Sequence, residues 1–458
     1  KPSSAASDVY KRQGATPVEY KYDNTDYADW DFDTRAVHAG QKLDSDYGAR
    51  AMPLHLTTAF AFEDCQDGAD RFALTKGGHI YTRLNNPTTD MVEERIASLE
   101  NGVGALLFGS GMAAILATVE SIASAGDHIV SSPRLYGGTE TLFRHTLPKM
   151  GLQVTFVEDP DDPQSWQDAV QPNTKLFYGE TISNPANDVF DIPAIADVAH
   201  RNLVPLVVDN TMATPYLTRP LDLGADLVVE SATKFMAGHG TVMAGALIDG
   251  GKFDWTVKRN GELVFPSLAA PDPAYHGFVY TDAGPGALIL KARVSFMRDT
   301  GSGISPFNAW ATQLGLETLS LRMERHVSNA QKVAEWLEQQ ELVDTVNYAG
   351  LPSSPWYEVH KRVCPKGASS VLAFDIKGST KEAWTFIDAL KLHTNLANLG
   401  DVRSLVTHPG STTHSQLTTE AKKHAGITDA TIRLSVGLES VDDIIADLQR
   451  GFDAVAAL

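Results

Sequence analysis

Two apolar runs of the chain end on residues that can do chemistry together. The run LVPLVVDN (203–210) ends beside Asp209, and the run DLVVESA (226–232) leads directly to Lys234. If these runs are neighbouring parallel strands, their carboxyl ends meet at one edge of the sheet, where open α/β proteins bind ligands. The sequence therefore predicts that a carboxylate and an amine face one crevice.

An amine in such a crevice can attack a carbonyl group. The apolar Phe235 follows Lys234, and partial loss of water lowers the pKa of a lysine and frees its amine. An acid opposite suits the ring nitrogen of pyridoxal phosphate (PLP), because the protonated ring withdraws electrons from a substrate carbanion. Either charge alone is better explained as a solvated strand end or half of a salt bridge. The pair, with the hydroxyls of Ser231 and Thr233 beside the lysine, favours Schiff-base chemistry.

A third strand end offers a phosphate site. The run GALLFGS leads into Gly111 and Met112 and then into a helix-like stretch, AAILATVESIA. The first NH groups of a helix have no partner within it and bind anions. We therefore expect the backbone of Gly111 and Met112 to hold a phosphate.

The same glycines also match a dinucleotide fingerprint. Gly109, Gly111 and Ala114 satisfy G-x-G-x-x-A, although a lone match of this kind is weak. A nicotinamide site further requires an acid near the end of the next strand, about 20 residues on. That strand ends in SSPR (131–134), so a nicotinamide dehydrogenase is disfavoured.

Three further motifs carry candidate cofactor contacts. Tyr81 and Arg83 in YTRLNNPT lie two apart, on one face if the segment is extended, and Arg83 could grip a phosphate. Tyr136 in LYGGT could stack on a flat ring, and Asn184 in SNP stands at another strand exit. Each motif could equally be a turn.

Arg433 lies between apolar neighbours in the strand-like TIRLSVGL. A buried arginine needs a carboxylate to hold, so either a substrate carboxylate or an internal salt bridge must answer it. Ser404, in the polar segment RSLVTHPGSTTH, could meet the same group. The 14 histidines show no metal-binding spacing, so we expect no metal.

The elements that must position these residues are read from apolar periodicity. The apolar runs alternate with helix-like stretches and predict an α/β fold, a doubly wound sheet of parallel strands; they cover 104–110, 127–132, 153–158, 174–180, 203–210, 226–232 and 242–249. A long helical stretch begins at PFNAW, in which Leu314, Leu321 and Val327 suggest a core-facing stripe. Beyond residue 340, strand-like VDTVNYA, SSVLAFDI and TIRLSVGL alternate with two helical stretches and predict a smaller α+β domain.

Composition limits the partners and the compartment. The 458 residues carry 38 Lys plus Arg against 57 Asp plus Glu, a net charge of −19, which disfavours nucleic acid and anionic membrane surfaces. No apolar run approaches the ~20 residues of a membrane helix, and the N-terminus lacks the apolar region of a signal peptide. Two distant cysteines, Cys65 and Cys364, suggest reduced thiols, so we expect a cytoplasmic protein.

These motifs together resemble the PLP-dependent enzymes of cysteine and methionine metabolism, the relatives of cystathionine γ-synthase. The segment DLVVESATKFMAGHG is similar to that family's PLP-lysine signature, and YTRLNNPT, GSGMAA, LYGGT, SNP, VVDNT and IRLSVGLE follow in the family's order. The resemblance implies the fold type I of PLP-dependent transferases, like aspartate aminotransferase, with a mostly parallel sheet. We expect a loose N-terminal arm (1–30), a segment serving the neighbouring subunit's site (31–90), a PLP-binding domain (91–295) and a C-terminal α+β domain (296–458).

The resemblance also assigns roles to the candidate residues. It implies that Lys234 forms the Schiff base and moves protons, that Asp209 partners the ring nitrogen and that Tyr136 stacks on the ring. Further residues would contact the cofactor or its phosphate: Gly111, Met112, Asn184, Ser231 and Thr233, joined by Tyr81 and Arg83 from a second subunit. Arg433 and Ser404, with Asn184, would bind the substrate. The shared site implies a homo-oligomer, expected to be a tetramer built from dimers.

Within the family, the C-terminal half is most similar to the O-acetylhomoserine sulfhydrylases. This predicts γ-replacement on an amino-acid ester, O-acetyl-L-homoserine, by sulfide or a small thiol. Gly138 stands where methionine γ-lyases usually carry Cys, whereas Met112 stands where sulfhydrylases commonly carry Gln. A γ-lyase, an O-succinylhomoserine-using γ-synthase and a non-catalytic binding or scaffold protein remain the alternatives.

Overall fold

The computed structural model of the chain describes residues 27–44, 48–415, 418, 422 and 425–458. Its larger sheet consists of β1 (Gly104–Phe108), β2 (His128–Ser131), β3 (Gln153–Phe156), β4 (Thr174–Glu180), β5 (Leu206–Asp209), β6 (Leu227–Glu230) and β7 (Gly245–Asp249). Each of the seven predicted runs contains one of these strands. Most of their residues are buried, as expected of strands covered by helices on both faces.

The sheet has the spatial order β1-β7-β6-β5-β4-β2-β3. Strands β2 to β6 pair in parallel, whereas β7 runs antiparallel to both β1 and β6. The expectation of parallel strands is therefore wrong for the run 242–249. The connection from Glu230 to Gly245 contains turns and no helix, and a parallel return needs a crossover connection, usually helical.

A second sheet forms from the C-terminal part of the chain. It contains β10 (Val343–Asn347), β11 (Val371–Ile376), β12 (Thr394–Asn395), β13 (Leu405–Thr407) and β14 (Thr431–Ser435), after a small hairpin of β8 (Lys258–Arg259) and β9 (Glu262–Leu263). The order is β10-β11-β14-β13-β12, with only the β12–β13 pair parallel. The sequence predicted β10, β11 and β14. It missed β12 and β13 because two or three residues show no periodicity.

Helices cover both sheets. The α-helices of the described residues are α1 (Phe32–His38), α2 (Cys65–Phe72), α3 (Pro87–Glu100), α4 (Gly111–Ile122), α5 (Gly137–Thr141), α6 (Pro163–Asp168), α7 (Ile192–Arg201), α8 (Thr214–Leu217), α9 (Pro266–Ala269), α10 (Ala287–Lys291), α11 (Arg298–Thr300), α12 (Pro306–Leu316), α13 (Leu319–Leu337), α14 (Tyr357–Val363), α15 (Thr380–Ala389) and α16 (Val441–Ala456). Side chains cap several N-termini: Ser305 accepts from the amide of Asn308, and Ser379 forms a reciprocal capping box with Glu382. Such caps satisfy NH groups that have no partner within the helix.

The long helical stretch after residue 305 is two helices, and its core face was misassigned. Leu314 and Leu321 are 46% and 68% exposed, and Val327 is half-buried. The buried face of α13 instead carries Met323, Ala330, Val333, Ala334 and Leu337. Both faces carry apolar residues, so periodicity alone could not identify the face that packs against the core.

The predicted domain boundaries stay predictions. The N-terminal arm falls largely on residues 1–26, which lie outside the described residues. Within the described part of the chain, no helix is both long and apolar enough to cross a membrane.

Candidate active site

A cavity of about 640 Å³ lies at the carboxyl ends of the central strands of the larger sheet. Most of the predicted site residues line it: Gly111, Met112, Tyr136, Asn184, Asp209, Ser231, Thr233, Lys234 and Arg433. Loops of the C-terminal part close its other side with Ala397, Asn398, Leu399, Thr412 and Thr413. The cavity thus joins β-strand ends of one sheet to loops of the other.

Lys234 lies just beyond β6 and is half-buried in this cavity. Burial, together with the nearby Arg433 guanidinium, lowers the pKa of its amine from the usual 10.5 to about 8. The Nζ atom donates a hydrogen bond of 2.6 Å to the Asn398 side-chain oxygen. The amine is therefore closer to its neutral, nucleophilic form at neutral pH than an exposed lysine would be.

Asp209 ends β5, one strand away from Lys234. Its Oδ1 accepts the Thr211 NH at 3.0 Å, and the Thr211 hydroxyl accepts the Ser231 NH at 2.7 Å. Burial raises the pKa of the Asp209 carboxyl, so a cationic partner would hold its proton off. Thr211 thus connects the two strand ends that carry the carboxylate and the amine.

The N-terminus of α4 opens into the same cavity. Ser110 caps it by accepting the Ala113 NH at 3.2 Å, and a Cβ added at Gly111 would lie 2.7 Å from the Ser231 Cβ. Only glycine therefore allows the helix to start this close to β6. The arrangement gathers NH groups and the Ser231 hydroxyl where an anion is favoured.

Thr233 is fixed to the strand that follows it. Its hydroxyl donates to the Ala244 carbonyl at 3.0 Å and accepts the Ala244 NH at 2.9 Å. The side chain lines the cavity, and the two hydrogen bonds to Ala244 fix its rotamer.

Arg433 is buried without a carboxylate. Its guanidinium donates to the side-chain oxygen of Asn184 at 3.2 Å and to the Asn398 carbonyl at 2.7 Å, and its Nε has no partner within the described structure. Burial lowers the pKa of this guanidinium to about 10. Since both acceptors are neutral, the internal salt bridge left open by the sequence does not form among the described residues.

Three predicted site residues do not line this cavity. Ser404 is fully buried, and its NH and hydroxyl both donate to the Glu439 carboxylate, at 2.7 and 2.9 Å. The Glu439 carboxylate therefore takes both donors of Ser404, and the expected contact of Ser404 with the substrate stays a prediction. Tyr81 and Arg83 are exposed and lie in a turn in which the Leu84 NH donates to the Tyr81 carbonyl at 2.8 Å, so the segment adopts the turn, one of the two conformations that the sequence left open.

Among the lining residues that the sequence analysis did not name, Glu180 and Asn398 contact predicted site residues. Glu180 ends β4 directly opposite Asp209 in the sheet register, and its position at a strand end was a usable signal. Asn398 lies in the loop before β13 and contacts both Lys234 and Arg433. No local pattern marks a loop residue whose partners are more than 30 positions away.

The sequence of the chain matches the model of a known protein family. The model described as "Cys/Met metabolism PLP-dependent enzyme" matches residues 33–453. The chain belongs to this family. It is therefore a PLP-dependent enzyme, and no group of three or more His, Cys, Asp or Glu that could hold a metal occurs in its described residues.

Individual relatives of this PLP-dependent enzyme agree with the family. An O-acetyl-L-homoserine sulfhydrylase of Corynebacterium glutamicum is 58% identical over 435 residues, covering 95% of this chain and all of that protein. A homocysteine synthase of Schizosaccharomyces pombe is 45% identical, covering 92% of this chain and 98% of that protein. The solved structure of a putative O-acetylhomoserine (thiol)-lyase from Campylobacter jejuni matches with a TM-score of 0.90 and 38% identity, covering 93% of this chain and all of that one.

The Campylobacter structure contains a pyridoxyl-lysine phosphate residue. Together with the mostly parallel sheet and the smaller C-terminal unit, the likeness confirms the expected fold type I of PLP-dependent transferases. The cavity suits the cofactor on its own terms: it combines an amine of lowered pKa, a buried carboxyl group and a helix N-terminus that a single Cβ would block. These are the groups that an aldehyde, a pyridine nitrogen and a phosphate require.

Proposed function

We propose that the protein catalyses γ-replacement on O-acetyl-L-homoserine, with sulfide giving L-homocysteine and acetate. The observation that carries this proposal is the pairing, in one cavity, of the Lys234 amine with the Arg433 guanidinium that lacks an acidic partner. An amino acid brings the carboxylate that Arg433 lacks. The relatives named O-acetyl-L-homoserine sulfhydrylase and homocysteine synthase support this choice of substrate and product.

The site residues divide into those that hold the cofactor and those that hold the substrate. When bound, PLP withdraws electrons from the amino acid attached to it, which makes the protons on its carbon atoms removable. Asp209 balances the charge at the ring nitrogen, and Tyr136 covers one face of the ring. The phosphate would be held by the NH groups of Gly111 and Met112 and by the hydroxyls of Ser231 and Thr233, the last of which must turn from the Ala244 carbonyl that it contacts here. Arg433 binds the α-carboxylate, with Asn184 beside it.

Lys234 acts as the single base of the reaction. Its amine would carry the proton from Cα to the bound cofactor, which returns the amine to its neutral form, and would then take a proton from Cβ as acetate leaves from Cγ with the electrons of the C–O bond. Sulfide forms the new bond at Cγ, and the protons return to Cβ and Cα. A flexible lysine beside the ring can reach both carbons, which a base on a rigid side chain could not.

The substrate assay uses PLP-loaded protein with O-acetylhomoserine, with and without sulfide, and follows homocysteine and 2-oxobutyrate together. Homocysteine that appears only with sulfide is the expected result. Oxobutyrate that dominates in both reactions would show a γ-lyase instead. Replacing the ester by O-succinylhomoserine, and sulfide by methanethiol, defines the acyl group and the thiol that the cavity accepts.

The lowered pKa of Lys234 predicts how fast the PLP-free protein captures its cofactor. Below about pH 8 the ammonium form dominates, so the capture rate should rise about tenfold per pH unit and level off above that pH. Capture by N-acetyl-lysine methylamide, measured in parallel, corrects for the titration of PLP itself and should rise until about pH 10.4. A capture rate that keeps rising to the higher value would show that the lysine is not desolvated.

We further propose a homo-oligomer in which Tyr81 and Arg83 serve the neighbouring subunit's cofactor. Both side chains are exposed and lie outside the cavity lining of their own chain. A dimer suffices for this arrangement, and a tetramer built from such dimers is the expected assembly.

Mixed oligomers test the shared site. Subunits carrying Tyr81→Ala and Lys234→Ala, each inactive alone, should regain about one quarter of wild-type activity when mixed, because half of the dimers are hybrids and each hybrid has one intact site. The control pair, Lys234→Ala with Arg433→Met, should regain nothing when assayed at a substrate concentration far below the KM of the Arg433→Met protein, since both changes lie in one chain's cavity. Equal results for the two pairs, in proven hybrids, would contradict the cross-subunit position of Tyr81.

We propose a cytoplasmic location because neither cysteine of the chain forms a disulfide. Cys65 and Cys364 are both free, as is usual where glutathione and thioredoxin keep proteins reduced. Fluorescence microscopy of cells that express the protein fused to a fluorescent reporter tests this directly.

A further inference from the structure

Glu180 is a buried carboxyl group in the cavity to which the proposed reaction gives no task. It ends β4, in register with Asp209 at the end of β5, and it is 7% exposed. Residues in register on neighbouring parallel strands project from the same face of the sheet. The cavity therefore holds two carboxyl groups side by side, and only Asp209 is needed by the ring nitrogen.

The contact that Glu180 makes points to a different role. Its Oε1 accepts the Tyr136 backbone NH at 2.6 Å. This NH belongs to the N-cap of α5, the residue directly before the helix, so it has no partner within the helix. The hydrogen bond therefore attaches the backbone of Tyr136 to the strand that neighbours Asp209.

The ring of Tyr136 is otherwise weakly restrained. The side chain is 43% exposed at the cavity mouth, and it rests on Gly138, where an added Cβ would lie 2.5 Å from the Tyr136 Cε1 atom. The position of the ring thus depends on the hydrogen bond between the Tyr136 NH and Glu180 and on the space that Gly138, which has no side chain, leaves for it. A tyrosine ring that must lie parallel to a cofactor needs a fixed backbone, because a hydrogen bond at the hydroxyl end alone does not set the orientation of the ring.

We propose that Glu180 is a positioning residue, which holds the Tyr136 ring in place over the cofactor through the hydrogen bond to the Tyr136 backbone NH. This inference rests on the proposed placement of PLP between Tyr136 and Asp209. Burial and the neighbouring Asp209 carboxylate raise the pKa of Glu180 well above its usual value. A protonated Glu180 still accepts the NH through its carbonyl oxygen and leaves Asp209 as the single negative charge beside the ring nitrogen.

Two substitutions separate the hydrogen bond from the charge. Glu180→Gln keeps an oxygen that can accept the Tyr136 NH, whereas Glu180→Leu has a similar size and no acceptor. For Glu180→Leu we expect about a tenfold weaker dissociation constant for PLP, in line with a lost hydrogen bond to a carboxyl group. The visible circular dichroism of the bound PLP should also lose intensity, because the ring stacked on it is displaced. Glu180→Gln should stay within about twofold of wild type in both measurements.

A double-mutant cycle tests whether Glu180 acts through Tyr136. In a Tyr136→Ala background, Glu180→Leu should add no further loss of PLP affinity, because the ring that it positions is gone. The same loss in both backgrounds, equal losses for Glu180→Gln and Glu180→Leu, or an unchanged Glu180→Leu protein would each overturn the proposal.

A second variant keeps the test decisive if Glu180→Leu does not fold. Gly138→Ala displaces the same ring from below and leaves Glu180 intact, and the exposed ring can move at little cost to stability. It should weaken PLP binding and the circular dichroism signal, and unchanged values would overturn the proposal. PLP affinity does not depend on the substrate, so a failure of the sulfhydrylase assay is distinguished from a failure of this inference.

Discussion

Lys234→Ala should abolish the reaction, with a loss of about 10⁴-fold or more in kcat. The substitution removes both the amine that attaches the cofactor and the base that moves the protons, and each of these functions alone contributes orders of magnitude. The variant should still fold, because it removes an amine whose burial opposes its charge. Borohydride reduction of the PLP-treated protein, followed by peptide mass spectrometry, should find no pyridoxyl group on the segment around residue 234.

Lys291 offers a matched control for this experiment. Burial lowers the pKa of its amine to about 8 as well, and its Nζ donates to the Ser121 carbonyl at 2.6 Å, away from the cavity. Lys291→Ala should therefore keep the reducible PLP link and its turnover, while losing some thermal stability. If Lys234→Ala retained turnover, or if the pyridoxyl group appeared on another lysine in the wild-type protein, the assignment of Lys234 would be wrong.

Arg433→Met should lower kcat/KM for the amino-acid ester by about 10²- to 10³-fold, mainly through KM. A carboxylate bound by a buried guanidinium contributes several kcal/mol, which corresponds to this range. Binding of PLP should change little. Steady-state kinetics over a range of O-acetylhomoserine concentrations, with the PLP content measured separately, will distinguish the two effects.

The stability of the same variant should move in an unusual direction. Arg433 is buried without a carboxylate, so replacing it in the substrate-free protein removes a desolvated charge. Its acceptors belong to Asn184 and Asn398, which line the cavity, where water can replace the guanidinium. We therefore expect an unfolding temperature equal to or above that of wild type.

Arg322 provides the opposite case. Its buried guanidinium donates to the carbonyl groups of Phe235, Met236 and Gly315 at 2.6, 3.1 and 2.6 Å, and it is not part of the cavity lining. Arg322→Met leaves these buried acceptors without partners and should cost about 3 kcal/mol or more in the free energy of unfolding. Thermal unfolding of both variants gives the comparison. A large loss of stability in Arg433→Met, similar to that in Arg322→Met, would argue that Arg433 is a structural residue.

The positions of the strands could be predicted because their signal is local. Each of the seven apolar runs contains a strand, since a strand buried on both faces is apolar along its whole length. Asp209 and Lys234 could be predicted for the same reason, because a charged residue directly after a buried strand is visible in the sequence. Gly111 could be predicted as the start of a helix, because its expected contact with a phosphate uses the backbone NH and needs no particular side chain.

Sequence reasoning failed where a side chain selects among distant partners. Ser404 and Asn398 lie only six residues apart, yet Ser404 donates to Glu439 while Asn398 contacts Lys234 and Arg433. Leu314 and Leu321, which were predicted to face the core and are exposed, show that packing is equally hard to predict from local sequence. Two apolar faces on one helix are equivalent until the fold covers one of them.

The sequence by itself determined the family, the order of the strands along the chain and the carboxylate and amine at two strand ends, because periodicity and motif spacing are properties of neighbouring residues. Only the tertiary structure decided the antiparallel direction of β7, the absence of an acidic partner for Arg433 and the contact between Glu180 and Tyr136. The last two depend on groups that are far apart in the chain, from 35 residues for Arg433 and Asn398 to 249 for Arg433 and Asn184. Their free energies arise from desolvation and pairing, which exist only once folding has brought the groups together.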